Sequence, residues 1–483
     1  MKIALIYPPF RHKMFNENLA LVDHEFGRFP YISYGYLACE AKRLNHHVKL
    51  FDAAATKKSY DETLNELKKY GPDFLAFAAH AAQSFHDMTS WAYLLKKDLG
   101  LPSLVGGYEA KRYPMEIMAH DCFDFLCADD ISPFFEKFLR VFEDNGDYNS
   151  VPNLYYRTDG RINHTFNQKS ISFREHPIPD RSIFDNSLYY SHVSQRKNFT
   201  IGFSSIGCPY NCSYCCMHDS GFVPRSAEQT ADEMEECIKK HNIHEIDWFD
   251  PIMLFSKNRI YKLCSIIKER KLDIIWSSRT RVETLMMAPG DPRPDEKFLD
   301  ALEEGKCKRL FIGIESGSNT VLENVNKVIE LDKIRPVLEA ANKRGIRILG
   351  FFMLGNPGET MDTIRQTIKF SKQLPLDYAQ FSMTIMKPHT ELAQKYMTDI
   401  GKEDYWRNYI LGKEKEKALP MPWTKLTRAE IEKITLLAYL EFYLRPRYIL
   451  KAILKIRSLR EIIRYSKVLL KFINSYLLSK IKK

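Results

Sequence analysis

Three cysteines in the middle of the chain have the spacing and loop context of iron ligands. Cys208, Cys212 and Cys215 form a C-x3-C-x2-C pattern in a loop that also contains Gly207 and Pro209. Structural zinc closes its shell with four protein ligands, and iron–sulfur clusters usually take four cysteines, so a local set of three leaves one metal position open. The pattern predicts a [4Fe-4S] cluster with one iron available to a further ligand.

An open iron suits S-adenosylmethionine (SAM), whose amino and carboxylate groups can chelate it. An electron passed through that iron can break the C–S bond of the sulfonium, which yields a 5′-deoxyadenosyl radical able to take hydrogen from unactivated carbon. A zinc site completed by a distant Cys or His and a chance cluster of cysteines remain open as alternatives. The other cysteines show no spacing for a second cluster, and we interpret them as core residues, among them Cys39, Cys216, Cys237, Cys264 and Cys307.

The cysteine loop directly follows the first strand of a strand–helix series. Six apolar runs carry the strand pattern, at Thr200–Ser204, Glu245–Phe249, Ile274–Ser277, Arg309–Ile314, Arg347–Met353 and Ala379–Ile385. Helical patterns fall between them, one of which begins after the capping residue Ser226. The series predicts a partial or full parallel (β/α) barrel over residues 196–395, whose reactive face is the ring of loops after the strands.

Residues 1–145 show the same alternation. Five apolar runs separated by helix-length segments predict a doubly wound, Rossmann-like α/β sheet, at Ile3–Tyr7, Val48–Phe51, Phe74–Ala78, Ser103–Val105 and Phe123–Cys127. Such a sheet binds ligands at the carboxyl ends of its strands. Small or polar residues follow the predicted strands there, namely Pro8, Pro9, Asp52, Gly106 and Gly107.

The remaining segments are less regular. Residues 146–195 are rich in Asn, Asp, Pro, Ser and Tyr, which predicts a surface linker. Residues 396–483 favour a C-terminal helical region with a capping box at Thr427 and Glu430. The net charge of +10 comes from the segment Arg445–Lys483, which holds twelve Lys and Arg against one acid. Its apolar residues recur at near-helical spacing, which predicts either packed helices with a solvated basic face or contact with an anionic membrane or substrate.

The sequence resembles the radical SAM enzymes at its cysteine loop and at two later segments. These are Gly313 to Ser318, followed by Lys327, and Gly350 to Thr360. Residues Phe249-Asp250 and Arg279 to Glu283 also fall where such enzymes place groups that face SAM.

The resemblance implies SAM contacts for five residues. Arg281 would reach the SAM carboxylate, Glu315 and Ser316 its polar part, and backbone groups near Met217 and Gly355 the adenine. For Arg281 and Glu315, a salt bridge at the barrel mouth is the structural alternative, since ion pairs also gather in clefts.

The amino-terminal half resembles the cobalamin-binding domain that precedes the barrel in one branch of radical SAM enzymes. The resemblance rests on Pro8-Pro9, Tyr34 to Ala38, Val48 to Asp52, Pro72-Asp73 and Val105 to Gly107. It implies a cobalamin site at the residues following the strands, Pro8, Pro9, Asp52, Gly106 and Gly107. The segment has no Asp-x-His-x-x-Gly sequence to offer a histidine to cobalt, and Ala79-His80-Ala81-Ala82 stands where a hydroxyl-rich turn is usual.

The combined resemblance implies a radical SAM enzyme for cobalamin-dependent methylation of an unactivated carbon. The alternative is a cyclase, rearrangement or carbon–carbon coupling enzyme whose amino-terminal domain does not use cobalamin. A noncatalytic iron–sulfur or zinc protein that binds nucleic acid through the basic tail is a third hypothesis. Relatives that modify transfer RNA need an additional cysteine set, and Cys39, Cys122 and Cys127 do not supply it.

The composition indicates where the protein is expected to reside and what it is expected to bind. With 45% apolar and 27% charged residues and no apolar run of the roughly 18 residues that a membrane span needs, the chain is expected to be soluble and cytoplasmic, with membrane association through the tail as the variant. We expect a small-molecule or lipid-like substrate and an external electron donor, and no DNA or RNA. His389 stands where the family often has glycine and is a candidate for substrate contact.

Overall fold

The computed structural model describes the chain except for residues 11–26, 130, 169–171, 218–220, 289–290, 328, 416–418, 447 and 451–483. The described residues form two compact units. Unit 1 contains residues 1–10, Arg28–Tyr189 and 402–415, and unit 2 contains Tyr190–Gly401 and residues 419–450. Nearly all of the basic tail predicted to contact a membrane or substrate lies outside the described residues.

Unit 1 is built on a seven-stranded sheet. Its strands are β1 (Lys2–Tyr7), β2 (His47–Asp52), β3 (Phe74–Ala78), β4 (Ser103–Gly106), β5 (Phe125–Cys127), β6 (Leu154–Thr158) and β7 (Arg161–His164). They lie in the order β2-β1-β3-β4-β5-β6-β7, and the first five are parallel. The doubly wound α/β fold is confirmed, with its topological switch between the ends of β1 and β3.

Most helices of unit 1 connect these strands, and capping residues set the ends of one of them. The helices are α1 (Ser33–Arg43), α2 (Tyr60–Tyr70), α3 (Phe85–Leu99) and α4 (Ile131–Glu143), with shorter ones at Ala53–Thr56, Tyr108–Arg112, Pro114–Met118 and Tyr405–Ile410. Helix α2 begins with a capping box between Ser59 and Glu62 and ends at Gly71, whose φ of 62° suits glycine.

The predicted linker differs from the structure in one respect. Strands β6 and β7 form an antiparallel hairpin inside residues 146–195, and β6 pairs with β5 through Leu154 and Cys127. Only Leu154 in β6 is buried. So short a run with a single buried residue gives too little periodicity to predict a strand.

Unit 2 contains a six-stranded parallel sheet whose spatial order follows the chain. Its strands are β8 (Phe199–Gly202), β11 (Glu245–Trp248), β12 (Ile275–Thr280), β13 (Cys307–Glu315), β14 (Arg347–Leu354) and β15 (Tyr378–Met383), with a small hairpin of β9 (Ser205–Ile206) and β10 (Val223–Pro224) after the first. This is the predicted partial barrel.

Helices of unit 2 cover one face of this sheet. They are α5 (Ala227–His241), α6 (Lys257–Glu269), α7 (Glu296–Glu304), α8 (Leu331–Lys343), α9 (Met361–Gln373), α10 (Glu391–Asp399) and α11 (Arg428–Tyr443), with a short helix at Asn319–Asn324 and a hairpin of Met286–Ala288 and Asp291–Pro294. The predicted capping boxes at Ser226 and Thr427 are confirmed. Among the described helices, none combines the length and apolar character needed to cross a bilayer.

The two faces of the unit 2 sheet differ in polarity. Trp248 and Trp276 belong to the apolar core that the helices cover. Because side chains alternate along a strand, Asp247, Ser277 and Arg279 lie on the opposite, inner face. The inner face therefore carries the polar groups of the barrel.

Candidate functional site

The cysteine loop begins and ends at the β9–β10 hairpin. Ser205 pairs with Pro224 and Ile206 with Val223, which brings Gly207 next to Gly221. Gly207 has a φ of 70°, and a Cβ added to it would lie 1.4 Å from the Gly221 carbonyl oxygen. Glycine is therefore required where the chain enters the loop.

Two backbone hydrogen bonds fix the middle of the loop. The Ser213 N–H donates to the Val325 carbonyl at 3.1 Å, and the Leu392 N–H donates to the Ser213 carbonyl at 2.9 Å. The loop is thus held by the segments that follow β13 and β15. All three cysteines lie at the carboxyl end of the sheet, as predicted for the reactive face.

A buried carboxylate holds the residues that precede the loop. Asp250 Oδ1 accepts from the Ser204 N–H at 2.7 Å, and its Oδ2 accepts from the Ser204 and Ser205 hydroxyls at 2.6 Å each. Arg259 donates to Ser204 Oγ at 3.2 Å and to the Met253 carbonyl at 3.0 Å. Asp250 was expected to face SAM, but it is fully buried against these serines. Its role is to position the loop.

The thiols of the loop are shielded to different degrees. Cys212 is buried, and Cys208 and Cys215 are partly exposed. Burial raises the pKa of the Cys208 and Cys215 thiols, so the polypeptide alone keeps them protonated. Iron would displace these protons on binding.

Arg281 lies directly over the cysteine loop. Its Nη1 is 3.5 Å from Cys212 Sγ, and its guanidinium carbon is 4.1 Å from the ring centroid of Tyr210. Its Nε donates to Glu283 Oε1 at 2.9 Å, so the predicted salt bridge exists. The same side chain therefore brings a positive charge to a sulfur of the loop, which is where a SAM carboxylate would have to lie.

Glu315 occupies a strained backbone position at the end of β13. Its φ is 67°, and the pairing of β13 with β14 shifts register at this point. Lys327 Nζ donates to Glu315 Oε1 at 3.1 Å, and both side chains are buried. A glutamate in the left-handed region is strained, and such strain is often retained at functional sites. The adjacent Ser316 hydroxyl is buried 3.1 Å from Thr367 Oγ1.

The loop after β14 contains Gly355, with a φ of 82°. Its N–H donates to Glu359 Oε2 at 2.5 Å, and its carbonyl accepts from Trp423 Nε1 at 2.7 Å. Met217, the other residue expected near adenine, lies in the cysteine loop and is exposed.

Glu359 predicts a pH dependence of stability. Burial raises its pKa from 4.5 to about 7, and within the described residues its Oε1 has no hydrogen-bond partner. The folded state holds the proton more tightly, so stability is fully present below pH 4.5 and is lost as pH rises through about 7, by about 3 kcal/mol in total. We expect Glu359→Gln to remove this dependence in urea unfolding at pH 5 and 8.5. An equal stability difference between variant and wild type at both pH values would contradict it.

His389 also lies in the left-handed region, with a φ of 61°. Glycine would adopt such an angle without strain. The conformation does not test the expected substrate contact.

The residues expected to hold cobalamin lie at the carboxyl end of the unit 1 sheet. Pro8 and Pro9 follow β1, and Gly106 ends β4. Gly107 has a φ of 109°, and a Cβ there would lie 3.0 Å from the Ala79 carbonyl oxygen. Asp52 is occupied within the protein, because its carboxylate accepts from the Ala55 N–H and the Tyr189 hydroxyl at 2.7 Å each.

Aromatic side chains surround the switch between β1 and β3. Tyr7 stacks on Tyr31 at 5.4 Å, and the His80 ring lies 4.9 Å from Phe10 and 5.3 Å from Tyr31. All four rings are partly exposed. A flat macrocycle with a polar rim fits such a set of ring faces beside the small residues Ala79 and Gly107. Sequence reasoning missed this cluster because the four residues come from three separate segments.

Within the described residues, no three His, Cys, Asp or Glu side chains converge as they would around a single metal ion. A cubane cluster has a different requirement, since each thiolate binds a different iron.

Comparisons with known proteins bear on both units. Residues 204–371 match the Radical SAM superfamily. The chain is 26% identical over 94% of its length to a Pyrococcus horikoshii protein named "Uncharacterized methyltransferase PH0819", of which it covers 95%. It is 21% identical over 76% of its length to the anaerobic magnesium-protoporphyrin IX monomethyl ester cyclase of Rubrivivax gelatinosus, of which it spans 66%.

A solved structure shares the fold of this chain. It is the radical SAM methyltransferase TsrM from Kitasatospora setae with cobalamin and a [4Fe-4S] cluster bound. The match has a TM-score of 0.63 at 15% identity and covers 82% of this chain and 75% of TsrM. The cysteine loop and the superfamily match lead to one conclusion: residues 204–371 form a radical SAM domain, and the fold of the chain, with an α/β sheet before the parallel partial barrel, is the fold of TsrM.

Proposed function

We propose that this protein is a cobalamin-dependent radical SAM methyltransferase that acts on an unactivated carbon of a small-molecule or lipid-like substrate. The observation that carries the proposal is the contact of Arg281 with Cys212 at the mouth of a parallel barrel. An open iron on this loop and a guanidinium beside it are what a chelated SAM carboxylate requires.

The residues of unit 2 have separate tasks in this proposal. Cys208, Cys212 and Cys215 would hold a [4Fe-4S] cluster, and the chemistry supplied there would be one-electron reductive cleavage of SAM. Arg281 holds the SAM carboxylate, and Glu315, fixed by Lys327, and Ser316 hold its polar part.

The adenine of SAM would bind between the two remaining segments. Met217 presents an exposed apolar side chain from the cysteine loop, and Gly355 offers backbone groups that Glu359 and Trp423 hold in place. The barrel excludes water from the reacting carbon.

Unit 1 would hold cobalamin, which supplies the methyl group. The corrin ring would lie against Tyr7, Tyr31 and His80, where the sheet reverses its winding. Pro8, Pro9, Gly106 and Gly107 would border it. The Asp52 carboxylate keeps its hydrogen bonds to Ala55 and Tyr189, and through them it stabilises this edge of the sheet. In this proposal residues 1–145 bind cobalamin, and residues 196–395 bind SAM.

A cyclase or coupling activity without cobalamin is the second candidate. The relative from Rubrivivax gelatinosus, named as a cyclase, supports it. The methyltransferase named in Pyrococcus horikoshii matches nearly its full length and favours the first candidate.

The test is anaerobic reconstitution with iron, sulfide and cobalamin, followed by metal and cobalamin counts and by assay of SAM cleavage to 5′-deoxyadenosine. We expect one cluster, stoichiometric cobalamin and reductive SAM cleavage. The Cys208→Ala, Cys212→Ala, Cys215→Ala triple variant should lose the cluster and all SAM cleavage. It should keep cobalamin, because the three cysteines lie in unit 2 and the residues expected to bind cobalamin lie in unit 1.

Three outcomes separate the hypotheses. A cluster without cobalamin moves the cyclase or coupling reaction ahead. Zinc in place of the cluster contradicts the proposal as a whole. Cleavage of SAM by the triple variant would show that the cysteine loop is not the site.

A further inference from the structure

The inner face of the unit 2 sheet carries an arginine with unused hydrogen-bond donors. Arg279 lies in β12, and its Nη1 donates to Asp247 Oδ1 at 3.2 Å and to the Trp248 carbonyl at 3.1 Å. Across the part of the chain that the structure describes, no acceptor lies within hydrogen-bonding distance of Arg279 Nε or Nη2, and neither atom is sealed from solvent. Both atoms therefore remain accessible on a side chain that is 24% exposed.

Two aromatic rings hold this guanidinium in one orientation. Its carbon lies 3.6 Å from the Phe249 ring centroid and 4.8 Å from that of Phe311. Phe311 in turn stacks on Phe351 at 6.1 Å. An arginine fixed in this way presents Nε and Nη2 as a rigid pair of parallel donors, which matches the two oxygens of a carboxylate or phosphate.

Asp247 does not fully neutralise the charge of the Arg279 guanidinium. Asp247 is 1% exposed and pairs with Arg279 through one oxygen. Burial still lowers the pKa of Arg279, although Asp247 opposes this effect. The charged guanidinium is thus incompletely compensated, and a second oxyanion would stabilise it.

The position along the strand separates this site from the cysteine loop. Arg281 contacts Cys212, and Arg279 lies two residues earlier on β12, about 6.6 Å deeper at the rise of a parallel strand. A group bound at Arg279 would lie below SAM, on the side where a substrate must present its reacting carbon.

We propose that Arg279 anchors the substrate through a carboxylate or phosphate, and that the substrate is an organic acid whose aromatic or apolar body lies against Phe311 and Phe351. This inference rests on the proposed function, because it takes the inner space of the barrel as the substrate site. It extends the proposed function by naming a class of substrate and a residue that determines substrate specificity. Arg281 remains the ligand of the SAM carboxylate.

The experiment measures binding of three probes to the reconstituted full-length enzyme by titration calorimetry. Phenylacetate and phenyl phosphate carry the two oxyanions, and phenylacetamide has the shape of phenylacetate without its charge. We expect the wild type to bind one or both anions at least tenfold more tightly than the amide. Arg279→Lys should lose this preference about tenfold, because lysine keeps the charge but lacks the paired donors.

Two further variants keep the test interpretable. Arg279→Gln combined with Asp247→Asn removes both charges together, so that no buried carboxylate is left unpaired, and it should bind acid and amide equally. Arg365→Gln removes an exposed arginine from α9 and should behave as the wild type. SAM affinity and 5′-deoxyadenosine formation should stay within about twofold of wild type in Arg365→Gln, and the SAM affinity of Arg279→Lys is measured beside them.

Each result has a defined meaning. Equal wild-type affinity for acid and amide, or no binding of either anion, overturns the inference. Weaker SAM binding in Arg279→Lys with unchanged phenylacetate binding also overturns it, since Arg279 would then belong to the SAM site. An Arg279-dependent acid preference in a protein that does not cleave SAM supports the oxyanion site and contradicts the proposed function. If phenyl phosphate alone is preferred, the substrate class is a phosphate ester.

Discussion

Replacing Asp250 with alanine is expected to lower the melting temperature of unit 2 by on the order of 10 °C and to reduce iron incorporation severalfold. Asp250 is the central acceptor for two serines that lead into the cysteine loop. Its removal leaves the Ser204 N–H and two hydroxyls without their acceptor in a fully buried place. It also removes a negative charge that stabilises the half-buried Arg259 guanidinium.

The magnitude follows from the cost of leaving buried donors without their acceptor. Each such donor typically costs about 1–3 kcal/mol, and Asp250 accepts from three of them. Asp250→Asn keeps an acceptor for the Ser204 N–H but not the charge, so we expect about half of the loss in stability. The measurements are thermal unfolding of the apo protein and iron per chain after reconstitution.

A second carboxylate in unit 2 provides the matched control. Asp295 accepts from the Phe298 N–H at 3.0 Å to cap α7 and pairs with Lys257 at 2.7 Å. Asp295→Ala should cost about 1–2 kcal/mol, as a lost helix cap does, without affecting iron. If Asp250→Ala incorporated as much iron as Asp295→Ala, Asp250 would not position the loop.

The sequence predicted the fold class of both units but not the β6–β7 hairpin, which lies in the predicted linker. Apolar runs alternating with helices predicted both parallel sheets, since this rhythm and the right-handed crossover leave few alternatives. It also placed the three cysteines after the first strand of the barrel. Residues 402–415 were expected in the helical carboxyl-terminal region, yet they group with unit 1. A helical pattern in the sequence does not indicate which of two hydrophobic cores the helix will pack against.

The site was less predictable than the fold. Asp250 was expected to face SAM, but its direction depends on the β9–β10 hairpin, whose two-residue strands have no periodicity. The left-handed Glu315 could not be expected either, because a non-glycine residue avoids that region unless its neighbours hold it there. The pairing with Lys327 supplies that restraint, and it becomes visible only when residues twelve positions apart are brought together.

The second large effect is expected from Gly207→Ala. The new Cβ would lie 1.4 Å from the Gly221 carbonyl oxygen, so the two ends of the cysteine loop must move apart. An alanine at a φ of 70° adds about 1–2 kcal/mol of backbone strain. Because the Gly207–Gly221 contact sets the entrance of the loop, we expect iron incorporation to fall at least tenfold while the thermal unfolding of the sheet core changes by only a few degrees.

Gly221→Ala tests whether the effect of Gly207→Ala comes from the steric clash of the new Cβ or from the backbone strain of alanine at a positive φ. Gly221 has a φ of 62°, close to that of Gly207, but a Cβ there meets no atom of the described residues within 4 Å. It should cost the same 1–2 kcal/mol of strain and keep iron and SAM cleavage near wild type. Loss of the cluster in both variants would mean that backbone freedom, and not the close approach of the two strand ends, is what the loop needs. Loss in Gly207→Ala alone would show that the hairpin holds the cysteines at the spacing a cluster requires.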